Sequence, residues 1–316
     1  MPLDPDIAEI IAEIARRENA FDLALPIDRR RRQYDVMMRE VMGHDEVPGI
    51  VSADAEIPGP GGPIPIRVSR PDGSSPADRL PTVVYLHGGS WIVGSIESYD
   101  PVTRRIARAV PAVVVSVGYR LAPEHPFPAG YLDAESALDW AIAHVEQLGG
   151  DPSTMVLSGD SAGGNFTAAL SIAARDRGVG FAAQLMFYPS SDLSRRYPSM
   201  DEFETGYLLE TPPVAFADEE YLVDPALRSD PRVSPILSAS FADLPPAVVV
   251  TAEYDPIKDH GDILVDAYRA AGVVVLHREA PGMIHGFLHA GRSAAALGEI
   301  DRACAALGLL LRSSTG

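Results

Sequence analysis

Met155-Val156-Leu157-Ser158-Gly159-Asp160-Ser161-Ala162-Gly163-Gly164 is a short apolar run that leads at once into a serine set among small residues. Residues 155–158 read as a strand and 162–177 as a helix. A chain that passes from one to the other so abruptly brings strand and helix backbones close together, and only glycine or alanine fits on the flanks of such a turn. The turn lifts the serine hydroxyl to the carboxyl edge of a sheet, where ligands bind in open α/β architectures. The helix that follows aims free amides and the positive end of its dipole at the same spot. A glycine-rich turn can also carry an ordinary serine. The strand before it and the helix after it are what favour an activated one.

Outward from this turn, strand-like and helical segments alternate. The strands expected are 51–57, 64–69, 82–87, 112–117, 155–158, 184–188, 247–251 and 273–277. Most of the later ones are short β-branched runs, as in strands buried on both faces. Gly59-Pro60-Gly61-Gly62-Pro63 joins the first two as a hairpin. Helices are expected at 101–109, 129–147, 162–177, 257–271 and 294–311. Such alternation with right-handed crossovers predicts a mostly parallel sheet between layers of helices. With 316 residues, 46% of them hydrophobic, the chain can bury one large core as a single domain.

Two regions stand outside the rhythm. In the first, residues 1–43, Asp4 can cap a helix with Pro5 at its first position. Ile7, Ile10, Ile11 and Ile14 then share one helical face, and Tyr34, Met37, Met38, Val41 and Met42 another. The second, 192–230, holds Phe203, Tyr207, Leu208, Leu209 and Phe216 among acids and prolines. A linker would hold fewer large apolar groups, so it reads as an inserted cap segment. The three apolar faces are expected to meet above Ser161.

His87-Gly88-Gly89-Ser90-Trp91 directly follows the strand 82–87. Acyl transfer develops negative charge on a carbonyl oxygen, and preorganised backbone N–H groups stabilise it. The amides of Gly88 and Gly89, with that of Ala162, are the donors expected. The Ser90 amide is an alternative to one of the first two. His87 is expected to brace this loop by hydrogen bonds rather than act as a base. A serine hydroxyl needs a base, and the base an orienting acid. Of eight histidines, His260, His277, His285 and His289 follow the serine in suitable regions. His285 is favoured because it lies in the loop 281–287 after the last strand. For the acid, Asp255 best fits the end of the preceding strand, with Glu253 the alternative and Asp259 and Asp262 read as helix surface. Trp91, Tyr207, Leu208 and Ile284 are the expected substrate contacts.

The formal net charge is −18, a field that repels phosphate backbones, so nucleic acid is not an expected partner. The basic run Arg29 to Arg32 reads as the solvated side of a helix rather than an anion site. Cys304 is the single cysteine, which excludes an intrachain disulfide and fits a cytoplasmic setting. No secretory signal and no stable membrane insertion are expected. The expected partner is a small-molecule ester, and a homodimer is compatible with the sequence.

Taken together these residues resemble the α/β-hydrolases of the hormone-sensitive-lipase type, bacterial family IV esterases in particular. The resemblance rests on Tyr85-Leu86-His87-Gly88-Gly89, Tyr119-Arg120-Leu121-Ala122-Pro123-Glu124, the Gly159–Gly164 turn, Ala252-Glu253-Tyr254-Asp255-Pro256 and His285-Gly286-Phe287. It implies an α/β-hydrolase fold with a mostly parallel eight-stranded sheet and a helical cap, no cofactor, and hydrolysis of short- to medium-chain acyl esters. The triad it implies is Ser161, Asp255 and His285. Ser90 stands where the family has a third glycine, and Gly118 where it has an aspartate. A deacetylase, amidase or thioesterase would share the same residues. A plant hormone receptor resembles these esterases but lacks the histidine, which here is present as His285.

Overall fold

The computed structural model describes residues 2–17, 23–43 and 47–313, without the side chains of 212–216 and 313. Phe216, counted above with the insertion's apolar residues, is among those side chains outside the described residues. Eight strands form one sheet in the order β1-β2-β4-β3-β5-β6-β7-β8. They are β1 Ile50–Ile57, β2 Ile64–Pro71, β3 Leu80–Leu86, β4 Val113–Val117, β5 Gly150–Asp160, β6 Ala183–Phe187, β7 Ala247–Tyr254 and β8 Val275–Ile284. The first pair is an antiparallel hairpin, β2 is antiparallel to β4, and from β4 to β8 every pairing is parallel.

Nine α-helices lie among the described residues: α1 Pro5–Ala15, α2 Ile27–Glu40, α3 Ile96–Ala109, α4 Ala129–His144, α5 Ala162–Asp176, α6 Pro198–Glu202, α7 Thr211–Tyr221, α8 Lys258–Ala270 and α9 Ala294–Ser313. None of the described helices is long and apolar enough to cross a membrane. The period-2 alternation of β3 sets the layers. Val83 and Tyr85 belong to the core on the side of α1, α2, α3 and α9, whereas Val84 and Leu86 belong to the core on the side of α4 and α5.

Several boundaries differ from the sequence reading, among them the start of β5 at Gly150 rather than 155 and two others near the site. Helix α3 begins at Ile96 rather than 101, because Ser95 and Ser98 form a reciprocal cap ahead of Pro101. Strand β8 runs on to Ile284, so most of the expected 281–287 loop is strand. The arginine run is also less solvated than expected. Arg30 forms a bidentate pair with Glu220, and Arg31 pairs with Glu124 while donating to the Ile92 and Ala122 carbonyls. Helix α2 is thereby fastened to α7 and to the loop after β3.

Helix α1 forms where expected, with the Asp4 carboxylate accepting from the amides of Asp6 and Ile7. Its isoleucines, however, do not face Ser161. Ile7, Ile10 and Ile14 join the core that holds Met283, Ile284, Phe287 and Leu288. The Asp4 amide donates to the Gly282 carbonyl at 3.0 Å, and the Ser293 hydroxyl donates to the Asp4 carboxylate at 3.1 Å. Ile10 is 1% exposed. Replacing it with alanine removes buried methylenes and leaves a cavity, so Ile10→Ala should lower unfolding free energy by about 2–5 kcal/mol in urea titrations. An unchanged urea midpoint would mean that α1 is not part of the cooperative core.

Candidate active site

Strand β5 ends at Asp160, α5 begins at Ala162, and Ser161 alone makes the turn, at φ +52° and ψ −116°. That conformation is costly for a residue with a side chain and persists only where its surroundings enforce it. Here the enforcement is contact. A β-carbon on Gly163 would lie 1.9 Å from the Leu86 carbonyl oxygen, and one on Gly159 would lie 2.4 Å from the Gly163 carbonyl oxygen. The glycines let α5 sit directly against the ends of β3 and β5.

Asp255 is the first residue after β7 and His285 the first after β8, so both reach the same edge of the sheet as Ser161. His285 Nδ1 lies 2.8 Å from Asp255 Oδ2, and His285 Nε2 lies 2.9 Å from Ser161 Oγ. An ionised carboxylate only accepts, so Nδ1 donates to Asp255 and the Nε2 lone pair faces the serine hydroxyl. The other Asp255 oxygen accepts from the Ile257 amide at 2.8 Å. Asp255 is fully buried, while Ser161 and His285 keep a sliver of exposure. An imidazole held this way can take the hydroxyl proton and later return it to a leaving group.

The other candidates lie elsewhere. Glu253 accepts from the Gly282 amide, Asp259 from the Ser199 amide, and Asp262 sits beside Lys258. His277 is paired with Thr251, His289 packs edge-on to Tyr34 and Tyr99, and His260 is buried under the 190–192 backbone.

The loop after β3 requires one correction. The Gly88 amide donates to Asp160 Oδ1 at 2.9 Å and is therefore not available to a substrate oxygen. Among the described residues, the amides of Gly89, Ser90 and Ala162 have no acceptor within the chain. The alternative that admitted Ser90 is thus the one the geometry supports. Gly89, Ser90 and Trp91 all have positive φ, at +105°, +52° and +61°. His87 braces the loop as expected: its ring stacks on Tyr119 at 4.3 Å, and its carbonyl accepts from the Tyr119 hydroxyl at 2.7 Å. Burial pushes its imidazole down to about 4, so it stays neutral at pH 7.

Asp160 is the residue that the sequence reading passed over. Its carboxylate is buried and accepts from the Tyr85 hydroxyl, the Tyr99 hydroxyl and the Gly88 amide at 2.8, 3.1 and 2.9 Å. Burial pushes its pKa up to about 6 against the opposing pull of these donors. An acid among small residues in the quoted turn was the only available signal. Its partners lie 61 to 75 positions away and could not be found from local pattern.

Two cavities open on Ser161. The larger, about 310 Å³, is lined by Trp91, Ala162, Ser190, Asp192, Asp218 and His260 among others. The smaller, about 180 Å³, is lined by Tyr34, Met37, Met38, Leu208, Gly89 and His285 among others. Helix α2 and the insertion therefore do meet above the serine, whereas α1 does not. Of the expected substrate contacts, Trp91 and Leu208 line these cavities. Tyr207 lines neither, because it stacks on Tyr254 at 5.3 Å, and Ile284 lines neither, because it is buried in the core beneath.

A family model described as alpha/beta hydrolase fold matches residues 83–289. The chain is 34% identical to the ethyl acetate hydrolase of Pseudomonas putida, over 92% of this chain and 93% of that protein. It is 33% identical to an arylesterase of Saccharolobus solfataricus, over 93% and 94%. Among solved structures it is similar to an ester hydrolase from the metagenome of Lake Arreo, in complex with a bipyridine phosphonate derivative. There the TM-score is 0.90 and the identity 35%, over 97% of this chain and 98% of that one.

The contact between Gly163 and Leu86 yields a sharp expectation. Gly163→Ala forces β3 and α5 apart and should cost on the order of 3 kcal/mol in urea unfolding, with a large loss of activity. Near-native stability and turnover would mean that this contact does not set the turn.

Proposed function

The chain belongs to the α/β-hydrolase fold family, with the esterases of the hormone-sensitive-lipase type, and we propose that Ser161, His285 and Asp255 are the triad with which it hydrolyses carboxylic esters of short- to medium-chain acids. What supports this reading is the unbroken pair of hydrogen bonds from Asp255 through His285 to Ser161, at 2.8 and 2.9 Å. In it, Ser161 Oγ attacks the ester carbonyl carbon as His285 Nε2 takes its proton. The charge that collects on the carbonyl oxygen is met by the amides of Gly89, Ser90 and Ala162. The alcohol leaves with the proton from His285, and a water activated by the same imidazole releases the acid. Asp255 fixes the tautomer and stabilises the imidazolium.

Asp160 is a positioning residue in this scheme. By holding the Gly88 amide, it aims the next two amides at the oxygen above Ser161. The relatives named above are ester hydrolases, which favours esters over amides or thioesters of the same acids. The presence of His285 separates the chain from a receptor on this fold. A panel of p-nitrophenyl esters of graded acyl length, beside matched amides and thioesters, tests the reading directly. No turnover of any ester would end it.

Ser161→Ala and His285→Ala should each lower kcat by about 10³-fold or more, and the double variant should be little worse than either. Asp255→Asn should be severe and Glu253→Gln mild, and the reverse order would move the acid to Glu253. The pH profile carries a second signal. The imidazole that takes the serine proton must be neutral, and falling pH also protonates the Asp160 carboxyl, near the value of about 6 to which burial raises it. A protonated Asp160 can no longer accept from all three donors, so the loop after β3 loosens. The acid limb of kcat/KM should therefore be steeper than one proton allows. Asp160→Asn should lower the plateau by about tenfold and leave a one-proton limb. A limb of unchanged steepness in that variant would remove Asp160 from the scheme.

A further inference from the structure

The larger and the smaller cavity share three of the described residues, Ser90, Ser161 and Leu209. Ser90 and Ser161 belong to the sheet edge, in the loop after β3 and the turn after β5. Leu209 comes from the inserted segment that covers the serine, two residues ahead of α7. The junction of the two cavities thus has the nucleophile and an oxyanion donor beneath it and this leucine above.

The residues around Leu209 hold it there. Tyr207 stacks on Tyr254 at the end of β7, and Phe203 packs edge-on to both rings. The Thr211 amide donates to the Glu204 carbonyl at 3.0 Å, and the Thr211 hydroxyl to the Met200 carbonyl at 2.8 Å, which closes the intervening loop at its base. Leu208, with φ +72°, packs against the core that holds Met283 and Phe287. Leu209 is half-buried and yet belongs to none of the three apolar cores among the described residues. Its side chain is given to the space over Ser161.

On the triad reading above, the ester carbon bonds to Ser161 Oγ and its oxygen turns to the amides of Gly89, Ser90 and Ala162. That carbon therefore sits at the junction. Its other two substituents, the leaving oxygen and the acyl α-carbon, lead away into the cavities. The α-carbon is only two bonds from Oγ, so it lies at the junction whichever cavity the acyl chain follows. Of its three remaining substituents, one continues the chain and two point back at the walls. Hydrogens there leave room for a leucine, whereas methyl groups compete with it for the same volume.

We infer that Leu209 is a specificity-determining residue that makes the protein select acids unbranched at the α-carbon. Branching further along the acyl chain falls in the body of a cavity and is not read by this side chain.

The test compares ratios between enzymes. p-Nitrophenyl pivalate and p-nitrophenyl pentanoate have acyl groups of equal carbon number, the first fully branched at the α-carbon and the second straight. Their ratio of kcat/KM, branched over straight, should rise by about tenfold in Leu209→Ala. Intrinsic reactivity cancels because the same pair is used with each enzyme. Leu209→Val, which shortens the side chain by one carbon, should raise the ratio by a smaller factor. The control pair, p-nitrophenyl 4-methylpentanoate and p-nitrophenyl hexanoate, carries its branch away from the carbonyl and should keep its ratio in both variants. An unchanged pivalate ratio in Leu209→Ala overturns the inference, and if that variant does not fold, an unchanged ratio in Leu209→Val does so in its place. Equal shifts in the two pairs would make Leu209 a general cavity wall and overturn it as well. Absence of turnover with every straight-chain ester in the unmodified protein would instead defeat the triad reading on which this inference rests, so the two failures are distinguishable.

Discussion

The Leu86 carbonyl oxygen and the α-carbon of Gly163 are so close that a β-carbon would lie 1.9 Å from the oxygen. Much of the site depends on that approach. It sets the first turn of α5 against the end of β3, so the nucleophile and the loop that follows β3 share one edge of the sheet. Strands β7 and β8 deliver Asp255 and His285 to the same edge because all the strands from β4 onward are parallel and their carboxyl ends lie together. A larger residue at 163 would disturb the carbonyl, the turn and the loop in one step.

Strain is concentrated in the same place. Gly89, Ser90, Trp91 and Ser161 all have positive φ, and three of the four bear side chains. Each such residue costs on the order of 1–3 kcal/mol, which must be offset nearby. Asp160 is one source, tying β3, α3 and the loop together through Tyr85, Tyr99 and Gly88. Trp91 is another, stacked on Tyr221 of α7 at 4.3 Å with the rings within 5° of parallel. The inserted segment thus supports the loop as well as covering it. Helix α2 adds the hydroxyl of Tyr34, 3.3 Å from that of Tyr99.

How much of this was legible in the sequence follows from the range of each interaction. The strand-turn-helix around Ser161 is local, so composition and order revealed it. The placement of Asp255 and His285 at strand ends followed from the same alternation. The Gly88 amide was misassigned because its acceptor, Asp160, lies 72 residues away and is adjacent only after β3 and β5 pair. Ile284 and Tyr207 were misread for a related reason. Their apolar character was correct, but only packing decides which wall an apolar residue faces. The isoleucine stripe of α1 announced a buried helix without announcing against what.

That last point bears on how the chain reaches its folded state. Asp4 and Glu13 are held by Ser293 and Arg292, partners 289 and 279 residues further along. Helix α1 lies far ahead of β8 and the turn before α9 in the chain, so Ile7, Ile10 and Ile14 cannot complete their packing until that distant stretch has joined them. Until then the amphipathic segment leaves part of its apolar stripe open to water and to neighbouring chains. Closing so long a loop adds little to the equilibrium cost, which grows only logarithmically with length, but it slows formation of the contact. Docking of α1 thus ties residues 4–14 to residues 282–293, a contact that no nearer part of the chain can supply.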